Sequence, residues 1–176
     1  MNAYNMREAQ APLRAKYKTA AETALVVDRA QTSGQNAGDP NHSVVEPMPG
    51  CGATLPVGVH SALGGLHDAP TPGDILYSAL AACQDSSVRM VANLLGVDLE
   101  FLEVTVTGNV DVRGTMMVDR SVPIGFQSMC CDVRLRVMAG TDPRLVEKLK
   151  AFAEQSCVVL QTLRAPPSVE MQFEVC

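Results

Sequence analysis

The chain has 176 residues, 47% hydrophobic and 19% charged, with a formal net charge of -5 at pH 7. That length suits a single domain over residues 1–176 with a sizeable core, and is too short for two large ones. Acidic and basic residues are mixed along the chain with acid in excess, which argues against nucleic acid or an anionic membrane as partner and for a small molecule or another protein.

With no Trp and 4% aromatics, Val, Leu, Ala and Met must fill the interior. The start, MNAYNMREAQAP, has no basic region leading into an apolar run, so no secretory signal is expected and a cytoplasmic location follows. No stretch approaches the ~18 consecutive apolar residues that span a bilayer, so no membrane is expected as a partner. Six cysteines, Cys51, Cys83, Cys130, Cys131, Cys157 and Cys176, match no zinc-ligand spacing. In a reducing compartment they are expected as thiols unless redox chemistry uses them. His42, His60 and His67 are not spaced as a metal constellation, and neither a metal nor another cofactor is expected.

In chain order, residues 5–21 contain good helix formers with Leu13 and Tyr17 four apart, and predict an N-terminal helical extension with Pro12 near a start or a kink. Residues 23–31 turn β-branched and predict a first strand, followed by the loop SGQNAGDPN. Residues 43–46 and 53–60 predict two short strands around PMPGCG, making a small antiparallel meander. ALGGLHDAP is then a Gly-rich connection without a phosphate-binding fingerprint.

Residues 71–96 predict the central helix. Thr71 suits the cap, Pro72 the first helical position, Asp74 the reciprocal place in a capping box, and Gly96 the stop. Ile75, Ala79, Cys83, Ser87, Met90 and Leu94 recur at helical spacing, and Leu76, Leu80, Val91 and Leu95 widen the stripe, which predicts a buried helix. Asp85 and Arg89 are spaced to pair along it. Strands are predicted at 102–112, with a possible bulge at Gly108, and at 129–137, where Cys130 and Cys131 point to opposite faces. A helix over 142–156, a further helical turn or two over 157–163, and a closing strand in PPSVEMQFEV complete an α+β order.

Three stretches, PTPGDILYSALAAC, LGVDLEFLEVTVTG and AFAEQSCVVLQTL, resemble in order and context the OsmC/Ohr family of thiol-dependent hydroperoxide reductases. The family pattern is an Asn-Pro-Glu-started helix ending in Ala-Ala-Cys, a Leu-Gly-Ile turn and a later Cys-Pro. The resemblance covers residues 64–175. It implies an OsmC-like α+β fold of antiparallel sheets with a long buried central helix. It also implies an intertwined homodimer with two active sites at the subunit interface, each using a cysteine pair.

By position Cys83 is similar to the family's peroxide-reacting cysteine and Cys157 to its resolving partner. The implied substrate is a small-molecule organic hydroperoxide and the implied reductant an external dithiol, with Ile75, Ala79, Leu80 and Met90 as an apolar wall. The family's Glu ten residues before the first cysteine, which orients an Arg beside the thiolate, is Gly73 here. Asp74 is committed to the cap, leaving His67 or Asp68 to substitute from the loop. Arg29, the only arginine between Lys18 and Cys83, is the candidate cation. A second departure is Val158 in place of the Pro after the resolving cysteine. Cys83 lies 12 residues after Thr71, beyond the field of the helix N-terminus, so only a nearby cation would favour its thiolate. The alternative is a noncatalytic dimer of the same fold that binds a small apolar ligand.

Overall fold

The computed structural model describes residues 4–32 and 36–175; Cys176 lies outside them. The chain divides into two compact units, Met1–Ser78 with Val106–Cys131, and Ala79–Thr105 with Asp132–Cys176.

In the first unit, helix α1 (Met6–Thr19) starts at Asn5, whose side chain accepts hydrogen bonds from the backbone N–H groups of Arg7 and Glu8. Pro12 sits inside this helix, and none of its residues is buried. The strand predicted over 23–31 does not form. A 3-10 turn occupies Ala21–Ala24, and only β1 (Gln31–Thr32) joins a ladder. β-Branched residues favour a strand when a partner and a covering face are present, and Leu25, Val26 and Val27 are exposed, Val27 by 96%.

The meander is as expected in order and direction. β1, β2 (Ser43–Glu46) and β3 (Leu55–Val57) are antiparallel neighbours, with Val45 opposite both Thr32 and Leu55. β3 is shorter than the predicted 53–60 because the chain beyond Val57 turns to the incoming loop. Gly58 N donates to Pro70 O at 2.9 Å and His67 N to Val59 O at 3.0 Å. That loop is also held by His42, whose Nδ1 lies 2.8 Å from Asp39 Oδ2 and whose Nε2 lies 3.1 Å from Asp68 Oδ1.

Helix α2 (Pro72–Leu95) starts at a complete capping box. Asp74 Oδ2 accepts from Thr71 N at 2.8 Å and from Thr71 Oγ1 at 2.7 Å, and Asp74 N donates to Thr71 Oγ1 at 3.3 Å. Gly96 ends the helix at φ 70°, a left-handed conformation that favours glycine. On the first turns, Tyr77 and Phe126 form a tilted aromatic pair with centroids 5.1 Å apart. Both rings sit on glycines: a Cβ at Gly108 would meet the Tyr77 ring at 2.7 Å, and one at Gly73 would meet Phe126 Cζ at 3.2 Å.

The second unit holds the core. Val88, Val91 and Ala92 of α2 pack with Val97 and with Leu149 and Ala153 of helix α4 (Pro143–Ser156), under Leu99, Leu102, Val133, Leu135 and Val137. The last five lie on strands β4 (Leu99–Asn109) and β5 (Ser128–Val137), which pair with each other. Backbone bonds from Met138 N to Asp98 O and from Gln127 N to Asn109 O make the pair antiparallel. β4 ends before the predicted residue 112 because Asp111 caps a short helix α3 (Val112–Thr115).

The burial of α2 corrects the expected stripe. Its buried residues are Leu80, Gln84, Ser87, Val88, Val91 and Ala92. Of the predicted line only Ser87 is buried, with Leu80 and Val91 from its widened margin buried as expected; Ala79 is exposed and Ile75, Cys83, Met90 and Leu94 are half-buried. At about 100° per residue the buried arc centres roughly 100° round the helix from Cys83. The arc follows the side facing Leu149 and Ala153, which periodicity cannot locate.

Asp142 caps α4, accepting from Arg144 N at 2.8 Å, and α5 (Val158–Arg164) follows after Cys157. The closing strand predicted in PPSVEMQFEV is absent among the described residues: 166–175 pairs with no strand, and Val169, Met171, Phe173 and Val175 are exposed. No helix among the described residues is long and apolar enough to cross a membrane.

Hydrogen bonds from Thr71 hold the Asp74 carboxyl below its ordinary value of 3.8, so its stabilisation is present above that value and is lost as pH falls through the lower folded value. Asp74→Ala is expected to cost about 1 kcal/mol at neutral pH, with a smaller difference from wild type in acid, read by urea melts at both pH values. His42 behaves oppositely. Its hydrogen bonds to Asp39 and Asp68 raise it above 6.5, so its contribution is complete below 6.5 and disappears as pH rises through the folded value. Proton NMR should show the His42 ring titrating above 6.5, and titration at or below 6.5 would refute the clasp.

Candidate functional site

Cys83 is half-buried in α2, at the margin of the arc that packs into the core. Helical spacing places Ile75, Ala79 and Met90 within about 80° of it on the outward side, and Leu80 about 60° round on the inward side. The four expected wall residues therefore do not form one surface. Leu80 belongs to the core at 2% exposure, whereas Ala79 is exposed and Ile75 and Met90 are intermediate.

Cys157 is 0% exposed at the junction of α4 and α5. Breaking the helix at this residue lets one side chain turn inward while Gln161 N bonds Cys157 O at 3.0 Å to start α5. Gln161 Nε2 also reaches back to Glu154 O at 2.9 Å, and Arg164 pairs with Glu154 at 2.7 Å, holding the two helices across the junction. The second unit thus contains both cysteines, with Cys83 open to solvent on one side and Cys157 enclosed.

A thiolate nucleophile needs positive potential, yet among the described residues no side chain hydrogen-bonds or ion-pairs with Cys83. Arg89, on the same helix, is held by Asp85 through Nε at 2.6 Å and Nη2 at 3.2 Å. Arg29 belongs to the first unit, is exposed, and makes no side-chain bond to a described residue.

The loop candidates are engaged within the first unit. Asp68 is bonded by His42, and His67 lies at φ 54° with its ring 4.2 Å from that of His60. Asp74 performs the capping role expected of it. Above Gly73, where the family pattern has a carboxylate, stands the Phe126 ring. Cys130 is exposed and Cys131 half-buried on β5, on alternating faces as expected. Among the described residues no group of three His, Cys, Asp or Glu side chains is arranged to hold a metal ion.

One residue escaped the sequence reading. Gln84, next to Cys83, is 5% exposed, and its Oε1 is buried without a hydrogen-bond donor among the described residues. The available signal was a Gln whose helical neighbours at i-4 and i+4, Leu80 and Val88, are both apolar. That pattern puts an amide in the middle of a packing face.

Comparison with known proteins agrees with this arrangement at the level of the fold. An OsmC-like protein from Mycoplasma pneumoniae superposes with a TM-score of 0.63 at 12% identity, covering 80% of this chain and 89% of that one. An organic hydroperoxide resistance protein OsmC from Legionella pneumophila gives 0.57 at 22% identity, covering 80% and 91%. An organic hydroperoxide resistance protein from Elizabethkingia anophelis, with thiocyanate bound, gives 0.57 at 18%, covering 81% and 91%. No curated protein matches the sequence. The family model described as OsmC-like protein matches residues 65–172, well over half the chain and including α2, both cysteines and the core, so the chain belongs to the OsmC-like family.

Proposed function

We propose that this protein is a thiol-dependent peroxidase that reduces organic hydroperoxides through Cys83 and Cys157, working in the cytoplasm as a homodimer. The observation that carries the reading is the contrast between the two cysteines: within one compact unit, the first is reachable from solvent and the second is closed off. An attacking sulfur must meet substrate, whereas a resolving sulfur must be kept from reacting with it directly. The partially open side of α2 at Ile75, Ala79 and Met90 suits an apolar organic group.

The chemistry balances in three steps. The Cys83 thiolate attacks the terminal oxygen of ROOH, the O–O bond breaks, and the alkoxide takes a proton and leaves as ROH. Cys157 then displaces water from the Cys83 sulfenic acid to form a disulfide. An external dithiol, oxidised in turn, restores both thiols.

The homodimer is supported by two apolar segments that a single chain leaves uncovered, at 25–27 and at 169–175, where Phe173 is 87% and Val175 96% exposed. The second alternates apolar and polar residues as a half-buried strand does. Arg29, two residues beyond Val27, would be carried on the first segment and is the proposed cation for Cys83.

A specific observation favours a second reading, a noncatalytic dimer that binds a small apolar ligand. Cys83 has no charged partner among the described residues, and an aromatic ring covers Gly73. The two readings separate on one experiment. Adding tert-butyl hydroperoxide to reduced protein with a dithiol should give turnover and a Cys83–Cys157 disulfide by mass spectrometry. Cys83→Ser should lower consumption to the buffer background, while Cys157→Ser should still form the Cys83 sulfenic acid but fail to cycle. If Cys83 stays reduced, the binding reading replaces the peroxidase. Independently, sedimentation should show a dimer for the wild type and a larger monomer fraction for Phe173→Glu; a monomeric wild type would end the proposal of a shared interface.

A further inference from the structure

We propose that Gln84 is a substrate-binding residue of the Cys83 site, its amide oxygen accepting the hydrogen bond of the hydroperoxide O–H. The inference rests on the peroxidase reading and supplies what that reading lacks, a group that recognises the peroxide function itself. Gln84 Oε1 is a buried acceptor with no donor among the described residues, in a side chain 5% exposed. Leaving such an atom unpaired is costly, whereas an apolar residue of similar shape in its place would cost little or nothing. Leu80 and Val88, a turn away on either side, are apolar, so packing here does not call for an amide. No described residue supplies the donor, and a bound ligand is the source assigned to it.

Position identifies the donor. Gln84 follows Cys83 directly, and adjacent helical side chains diverge by about 100°, so the amide does not face the sulfur. A ligand lying between them can meet both, provided it offers a donor next to an electrophilic atom. A hydroperoxide has that construction: its terminal oxygen carries the proton and is also the atom that sulfur attacks. With the proton held by Gln84 Oε1, the terminal oxygen is presented to Cys83. The S–O bond forms as the O–O bond breaks, and the electron pair leaves on the alkoxide, which is protonated by water. Cys83 is oxidised to the sulfenic acid and the peroxide reduced to the alcohol.

The test uses full-length Cys83→Ser, which cannot consume the probe, titrated with tert-butyl hydroperoxide while the Gln84 side-chain amide is followed by NMR. Saturable binding that shifts the Gln84 signals is expected, weakened about tenfold when Gln84→Met, matched in length, is added. Gln84→Met and Gln84→Leu alone should melt at or above the wild-type temperature, because both remove an unpaired buried oxygen. Equal affinity with and without the amide, absence of saturable binding, or a lower melting temperature in both variants would overturn the assignment. If the wild type fails to turn over while Cys83→Ser still binds through Gln84, the peroxidase reading falls and the Gln84 site stands.

Discussion

The contact of α2 with Leu149 and Ala153 determines where everything else on that helix points. Leu149 is fully enclosed and Ala153 nearly so, and burying a leucine side chain is worth about 2 kcal/mol by area alone. A small residue at 153 lets the helices approach, and the apolar side chains of β4 and β5 close the same core. Because this arc of α2 is fixed in the core, Cys83 is left at its edge. A helix rotated to bury the cysteine would have exposed Val88 and Ala92 instead.

Much of the fold was legible because it rests on local chemistry. The capping box at Thr71 and Asp74, the glycine stop at 96, the Asp142 cap and the alternation in β5 each follow from a few neighbouring residues, and each forms. What failed depended on partners distant in sequence. Residues 23–31 and 166–175 have the composition or alternation of strands, but a strand needs a neighbour, and among the described residues only Gln31 of these segments has one. The rotation of α2 was missed for a related reason. Apolar residues surround the helix broadly enough that periodicity alone leaves the buried arc open.

The candidate site was readable in part for the same reason. Ala-Ala-Cys in a capped helix and a later cysteine at a helix start are local patterns, so both sulfurs could be picked out and their places in helices anticipated. The cation could not be found this way, because which arginine approaches a sulfur depends on the packing of separate segments. Gln84 was not legible for the opposite reason: its significance lies in an acceptor left without a donor among the described residues, and no motif encodes a missing partner.

The two aromatic rings over Gly73 and Gly108 carry a consequence for substitution at position 73. A carboxylate side chain at position 73 would bring its Cβ to 3.2 Å from Phe126 Cζ, so the ring, which packs on a tyrosine seated against Gly108, would have to give by a few tenths of an ångström. The four positions are coupled, so any side chain added at 73 is accommodated through the packing of Phe126.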